Sequence, residues 1–115
     1  MDVALLDLSY LARLYKGDRA RMHQWIHMYL EEAPTYFGKL TAALENDSAH
    51  GLALAAHELR PLAHYLGVPR LLELLVAMED RACTEGVPAA RVLVEELLSL
   101  GQAVEVELRA KLVTA

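Results

Sequence analysis

The sequence predicts an all-α fold, an antiparallel four-helix bundle with a short additional helix at the N-terminus. Leu and Ala, which favour helices, dominate a chain that is 55% hydrophobic. Apolar residues recur at spacings of three and four along each long segment, and no segment shows the alternation of a strand. Proline and glycine cluster between these segments, so the connections are short and consecutive helices are expected to run antiparallel.

The first two helices are placed by turn and cap residues. A short first helix is expected to end at Lys16-Gly17, and Asp18 is suited to cap the next. The second apolar pattern starts at Arg19 and reaches the turn signal at 46–48. Pro34 interrupts this pattern, so it either kinks one long helix or starts a new one.

The last three helices follow from similar signals. The third is expected over about 49–66, between Ser48 as its N-cap and Gly67, which accepts the left-handed conformation after a helix. A fourth apolar segment follows directly. Residues 85–88 form the last break, before a final helix over about 89–112.

Composition limits the class of protein. The length of 115 residues suits one domain over residues 1–115, and the net charge of −5 disfavours nucleic acid and anionic membranes as partners. Cys83 is the only cysteine, so no internal disulfide can form. No apolar run is long enough to span a bilayer, and Asp2 and Asp7 stand where a signal peptide carries basic residues. A cytoplasmic protein is expected.

The third helix carries the candidate site. At about 100° per residue, its apolar residues fall between about 140° and 220° around the helix from His57. They are Leu52, Ala55, Leu59, Leu62 and Leu66. Within about 60° of the histidine by the same turn angle lie His50, Ala53, Arg60, Pro61 and His64. His57 is therefore expected to be exposed, while periodicity leaves open whether it is only a surface bystander.

Ala56-His57-Glu58-Leu59-Arg60 stands within this helix, and Leu66-Gly67-Val68 closes it. The two runs resemble the A-H-x-L-K-G motif and the later L-G-A step of the histidine-containing phosphotransfer (HPt) domain family, at the family's spacing. The resemblance covers about residues 2–112. Its other landmarks, in order, are Asp7-Leu8-Ser9, Lys16-Gly17-Asp18, the run from Tyr29 to Pro34, and Asn46-Asp47.

The resemblance implies that His57 is a phosphoryl acceptor, normally through Nε2, in a multistep His–Asp relay of two-component signal transduction. The implied partners are a response-regulator receiver domain, a hybrid sensor histidine kinase, or both. Arg60 matches the family's lysine and implies electrostatic assistance from a cation. No cofactor is implied for the chain, because Mg²⁺ belongs to the receiver. Without a Gly-rich phosphate loop, no kinase active site of its own is expected.

Two departures from the family lie on the implied partner-docking face, which consists of Ala53, Pro61 and His64. Pro61 stands where the family has glycine, and His64 stands where it has a small residue, so this face is bulkier than usual. Pro61 also lacks the N–H that would bond the carbonyl of His57, four residues back. We therefore predict a bend or a missing backbone bond there, with that carbonyl turned toward water.

Two other functions stay open. The chain is alternatively a divergent module that binds a receiver without efficient transfer, or a structural domain for helical interaction or dimerisation. His23 and His27 are four residues apart on one helix face, but no third ligand is evident, so no metal site is expected.

Three further residues are expected to have no chemical role. Glu79 and Asp80 are expected in solvent near a helix end. Cys83 has no activating base nearby in the sequence, so it is expected in the core or as a bystander.

Overall fold

The computed structural model describes residues 5–113, which form five helices. They are α1 (Ser9–Leu14), α2 (Arg19–Glu45), α3 (Ala49–Leu66), α4 (Pro69–Glu85) and α5 (Val87–Val113). The described residues contain no strand, which confirms the all-α prediction. Residues 1–4, which include Asp2, and residues 114–115 lie outside this description. Among the described helices, none combines the length and the hydropathy required to cross a membrane.

Side-chain caps start α2 and α3 where the sequence predicts. The Asp18 carboxylate accepts a hydrogen bond from the backbone N–H of Arg21 at 3.2 Å, and the Ser48 hydroxyl accepts one from Gly51 at 2.9 Å. Each bond satisfies an N–H that has no partner within the first helical turn. Gly67 ends α3 at a φ of 65°. The predicted bounds of α3 are therefore confirmed.

Proline explains where the other helix ends differ from expectation. Pro34 lies inside α2, so no new helix starts there. The expected four-residue break before the last helix is reduced to Gly86 alone, and the predicted start near residue 89 is wrong because α5 begins at Val87. Pro88 is then the second residue of α5. Proline is tolerated there because an N–H in the first turn has no partner within the helix.

The four long helices form a ring in which each packs against the next. α3 contacts α2 and α4, α5 contacts α4 and α2, and α1 lies against α2 and α3. Consecutive long helices are antiparallel because their connections are only one to three residues long. The largest fully buried side chains are Leu11, Ile26, Leu40, Leu52, Leu66, Leu74, Leu75, Met78, Leu97 and Leu108. Burial of each such side chain contributes roughly 1.5–3 kcal/mol, which fixes the face that α3 turns inward.

The segment before α1 crosses the turn between α3 and α4. The backbone N–H of Asp7 donates to the carbonyl of Leu66 at 3.1 Å. The Glu107 carboxylate of α5 accepts from the N–H of Leu5 at 2.9 Å. A Cβ at Gly67 would overlap the carbonyl oxygen of Asp7. Glycine therefore permits the close crossing that holds α1 beside α3.

Candidate functional site

His57 lies near the middle of α3, and its side chain is exposed as predicted. The opposite face of α3 is packed into the core. Four of the five residues predicted for that face are buried, namely Leu52, Ala55, Leu59 and Leu66. Leu62 is only half-buried, because the buried stripe is rotated toward Ala56 and Ala63, which both lie in the core. This rotation leaves His57 on the outward side of the helix.

The described residues leave the imidazole of His57 without a partner. No side chain among residues 5–113 forms a hydrogen bond or an ion pair with it. The carboxylate of the adjacent Glu58 pairs instead with Lys39 of α2, with 3.1 Å between Oε2 and Nζ. An exposed nitrogen with a free lone pair is what attack on a phosphorus atom requires.

Arg60 follows His57 by three residues, so the two side chains are neighbours on the surface of α3. The guanidinium is half-buried, and its Nη2 pairs with Oε2 of Glu79 on α4. Its Nε is buried and has no hydrogen-bond partner within the described part of the chain. Arg60 therefore binds the carboxylate of Glu79 through a single guanidinium nitrogen. The predicted cation is present beside the histidine, but it is engaged with α4.

The sequence interpretation placed Glu79 wrongly. We expected it in solvent near a helix end, but it lies in the body of α4 with only 27% of its side chain exposed. Its neighbour Asp80 is exposed, as expected. The position of Glu79 depends on tertiary structure. Only when α4 folds back along α3 after the Gly67 turn does Glu79 reach Arg60.

The residues predicted to dock a partner share one surface, which we call the α3 docking face. Pro61 and His64 are exposed there, and Ala53 is half-buried. Sequence reasoning missed two neighbours. Leu54 is 52% exposed and lies about 60° around the helix from the imidazole. Tyr10 of α1 places its ring 5.5 Å from that of His64, so α1 borders this face.

α3 remains helical through Pro61 and ends only after Leu66. Because proline has no N–H, the carbonyl of His57 receives no hydrogen bond from the residue four positions ahead. The proline ring is exposed rather than packed into the core. Pro61 therefore does not end the helix, while the bend and the outward-turned carbonyl stay predictions.

The other candidate residues do not assemble into a second site. On α2, His23 is half-buried and His27 is exposed. No group of three or more His, Cys, Asp or Glu residues between residues 5 and 113 is arranged to hold a metal ion. His50 is exposed at the start of α3. Cys83 is a free thiol and exposed, so of its two expected positions the core is excluded.

Asp7 fixes the start of α1 beside the docking face. Its carboxylate accepts hydrogen bonds from the hydroxyl of Ser9 and from the backbone N–H of the same residue. These bonds, with a smaller contribution from the charge of Arg13, hold the pKa of the Asp7 carboxyl below its ordinary value. The ionised carboxylate thereby steadies the first turn of α1, which carries Tyr10.

Comparison with protein-family models matches residues 24–112 to the Hpt domain. The match includes the whole of α3 and α4 and therefore covers His57, Arg60 and Glu79. The upstream landmarks between Asp7 and Asp18 precede its first residue. No curated protein and no solved structure matches the chain significantly.

Proposed function

Because the chain belongs to the Hpt domain family, we propose that it relays a phosphoryl group between receiver-domain aspartates in a multistep His–Asp phosphorelay, with His57 as the acceptor. One observation carries the assignment to His57. Its imidazole is exposed at the centre of α3 and has no intramolecular partner among residues 5–113. Arg60 supplies a cation three residues further along the same helix.

The proposed transfer exchanges one bond to phosphorus for another. An imidazole nitrogen of His57, Nε2 in this family, attacks the phosphorus of an aspartyl phosphate on the receiver. The N–P bond forms as the bond between phosphorus and the aspartyl oxygen breaks, and the aspartate leaves as a carboxylate. The proton on the other ring nitrogen stays in place during the attack. Transfer to a second receiver reverses these steps and restores the imidazole.

The surroundings of His57 suit a protein partner. Leu54 and Pro61 expose apolar surface beside the imidazole, and the Lys39–Glu58 ion pair lies next to it. An apolar centre with a polar rim is the usual composition of a docking surface. We assign this surface to the receiver domain of a response regulator or of a hybrid sensor histidine kinase, which also supplies the Mg²⁺.

The test compares histidines on one face of α3. Receivers charged with acetyl phosphate and Mg²⁺ are mixed with the protein, and intact mass is measured before and after. His57→Gln should abolish the added phosphate, because it removes the nucleophile. The matched variants His50→Gln and His64→Gln remove an exposed imidazole from the same helix and should still gain phosphate.

The chemical stability of the product identifies the bond. A phosphoryl group on imidazole survives alkali and is lost in mild acid, unlike phosphoserine. A normal gain of phosphate by His57→Gln would contradict the assignment. If the unaltered protein binds a receiver but gains no phosphate from any, it is a receiver-binding module. If it does neither, a structural role for the helical domain becomes the better explanation.

A further inference from the structure

We propose that Glu79 is a positioning residue for Arg60, and that it limits how strongly the arginine holds a phosphoryl group on His57. This inference rests on the proposed role of His57 as the acceptor. The observation behind it is a contact between two helices. The guanidinium of Arg60, beside His57 on α3, is already paired with the carboxylate of Glu79 on α4.

The pairing leaves part of the guanidinium unused. Arg60 contacts Glu79 through Nη2 alone, although the fork of an arginine can hold a carboxylate through two parallel hydrogen bonds. Its buried Nε has no acceptor among the described residues, and an unsatisfied buried donor is unfavourable. The resting arrangement is therefore held by a single interaction that a stronger acceptor can displace.

A phosphoryl group on His57 is such an acceptor. It brings three oxygens and close to two negative charges to the position next to Arg60 on the helix, whereas Glu79 offers one charge. The two anions compete for one guanidinium. Because both side chains of the existing pair are about one-third exposed or less, solvent screens the competition only partly. Glu79 thus weakens the hold on the phosphoryl group and favours its onward transfer.

The other charged or titratable groups near the histidine are common to all the variants below. Glu58 is neutralised by Lys39 on the side of α2. His50 and His64 lie seven residues before and after His57, about two helical turns away in each direction along the same face. None of these groups contacts Arg60 or Glu79 in the described structure.

The experiment measures the phosphoryl group directly. The protein is phosphorylated with phosphoramidate, which needs no receiver, and the protonation of the group on His57 is followed by ³¹P NMR against pH. Glu79→Gln keeps the shape of the side chain and removes its charge, so the guanidinium turns to the phosphoryl oxygens. The proton affinity of the group should fall about threefold, a size typical of partly exposed ion pairs.

Three companion variants separate positioning from a general loss of negative charge. In an Arg60→Ala background, Glu79→Gln should change the proton affinity much less, because the arginine through which Glu79 acts is absent. Glu79→Asp keeps the charge but shortens the reach, so a smaller fall in the same direction is expected. Glu73→Gln removes an equal charge from the same helix, where it pairs with Arg70, and should change nothing. Thermal melts confirm that each variant is folded.

The same variants are then equilibrated with a phosphorylated receiver. Glu79→Gln should shift the equilibrium about threefold toward phosphorylated His57, and only when Arg60 is present. An equal effect of Glu79→Gln in both backgrounds, or no effect in either, overturns the inference. Failure of every receiver to phosphorylate the unaltered protein contradicts the proposed relay function instead, and the phosphoramidate titration still decides the role of Glu79.

Discussion

Gly67 meets two separate demands at the turn between α3 and α4. Its φ of 65° lies in the left-handed region, where a side chain is strained, and the carbonyl of Asp7 passes where a Cβ would stand. The hydrogen bond from the Asp7 N–H to Leu66 depends on that close crossing. A single residue thus sets both the end of α3 and the position of α1 beside it.

We expect Gly67→Ala to lower the free energy of unfolding by roughly 2–3 kcal/mol, since about 1–2 kcal/mol comes from the left-handed conformation and the rest from displacing Asp7. Urea denaturation measures the change. Gly17→Ala is the matched control, because Gly17 also has a positive φ but no atom near its missing Cβ. If both substitutions have equal effects, the close crossing contributes nothing.

Single residues were predictable where helical phase alone decides their position. The phase of α3 places His57 and Arg60 on the outward side without reference to any other helix. Glu79 was placed wrongly and Tyr10 was missed, because their contacts with Arg60 and His64 cross from one helix to another. Local sequence patterns do not predict how α4 and α1 pack against α3.

At the scale of elements, the clarity of the end signals determines how well each helix was predicted. α3 has a capping hydroxyl at Ser48 and a terminating glycine at Gly67, and its bounds were predicted correctly. α5 was predicted to start too late, because a proline after a glycine suggests a longer break. The sequence left two possibilities at Pro34, a kinked helix or a new one. α2 continues through Pro34 because its packing against α3 and α5 outweighs the lost backbone hydrogen bond.

Pro61 interrupts the backbone hydrogen bonding inside α3. Its ring removes the hydrogen bond to the His57 carbonyl, a loss of up to about 3 kcal/mol in a helix interior. We expect Pro61→Ala to raise the free energy of unfolding by roughly 1–2 kcal/mol, less than the full amount because proline also restricts the unfolded chain. Urea denaturation tests this, and an unchanged or lowered stability would show that the helix is not strained there.

The same position is expected to affect the rate of transfer. Pro61→Gly removes the bulk that a receiver meets one turn after His57, so phosphate transfer should become severalfold faster. Pro61→Ala restores the backbone bond with a small side chain and separates the steric effect from the conformational one. Equal rates for Pro61→Gly and the unaltered protein in a stopped-flow assay would mean that the ring does not hinder docking.

At the scale of the whole molecule, the ring of helices closes between α2 and α5. These two helices contact each other less extensively than α3 contacts α4, and a cavity of about 270 Å³ lies between them. Tyr29 stands at this closure, 3% exposed and stacked on Trp25 with 5.8 Å between ring centres. The phenol of Tyr29 therefore reports on whether the ring of helices is closed between α2 and α5.

Burial, with a further contribution from the charge of Glu105, raises the pKa of Tyr29 to about 12, from an ordinary value of 10.0. Below pH 10 the phenol is protonated in both the folded and unfolded states, so its full contribution to stability is present. Between pH 10 and about 12 the unfolded chain releases the proton first. The free energy of unfolding should therefore fall with rising pH, by roughly 2–3 kcal/mol over that interval.

Urea denaturation between pH 9 and pH 11.5 measures this fall in the free energy of unfolding. Because lysines titrate in about the same range, variants are needed to identify the contribution of Tyr29. Tyr29→Phe cannot ionise and should lose much of the alkaline slope, while Tyr10→Phe removes a hydroxyl from an exposed ring and should keep it. The proposed acceptor lies on α3, whereas Tyr29 lies on α2, so Tyr29→Phe should not alter phosphorylation of His57 at neutral pH. Parallel slopes for Tyr29→Phe and the unaltered protein would show that the phenol is not sealed in the folded state, and that the closure between α2 and α5 admits water.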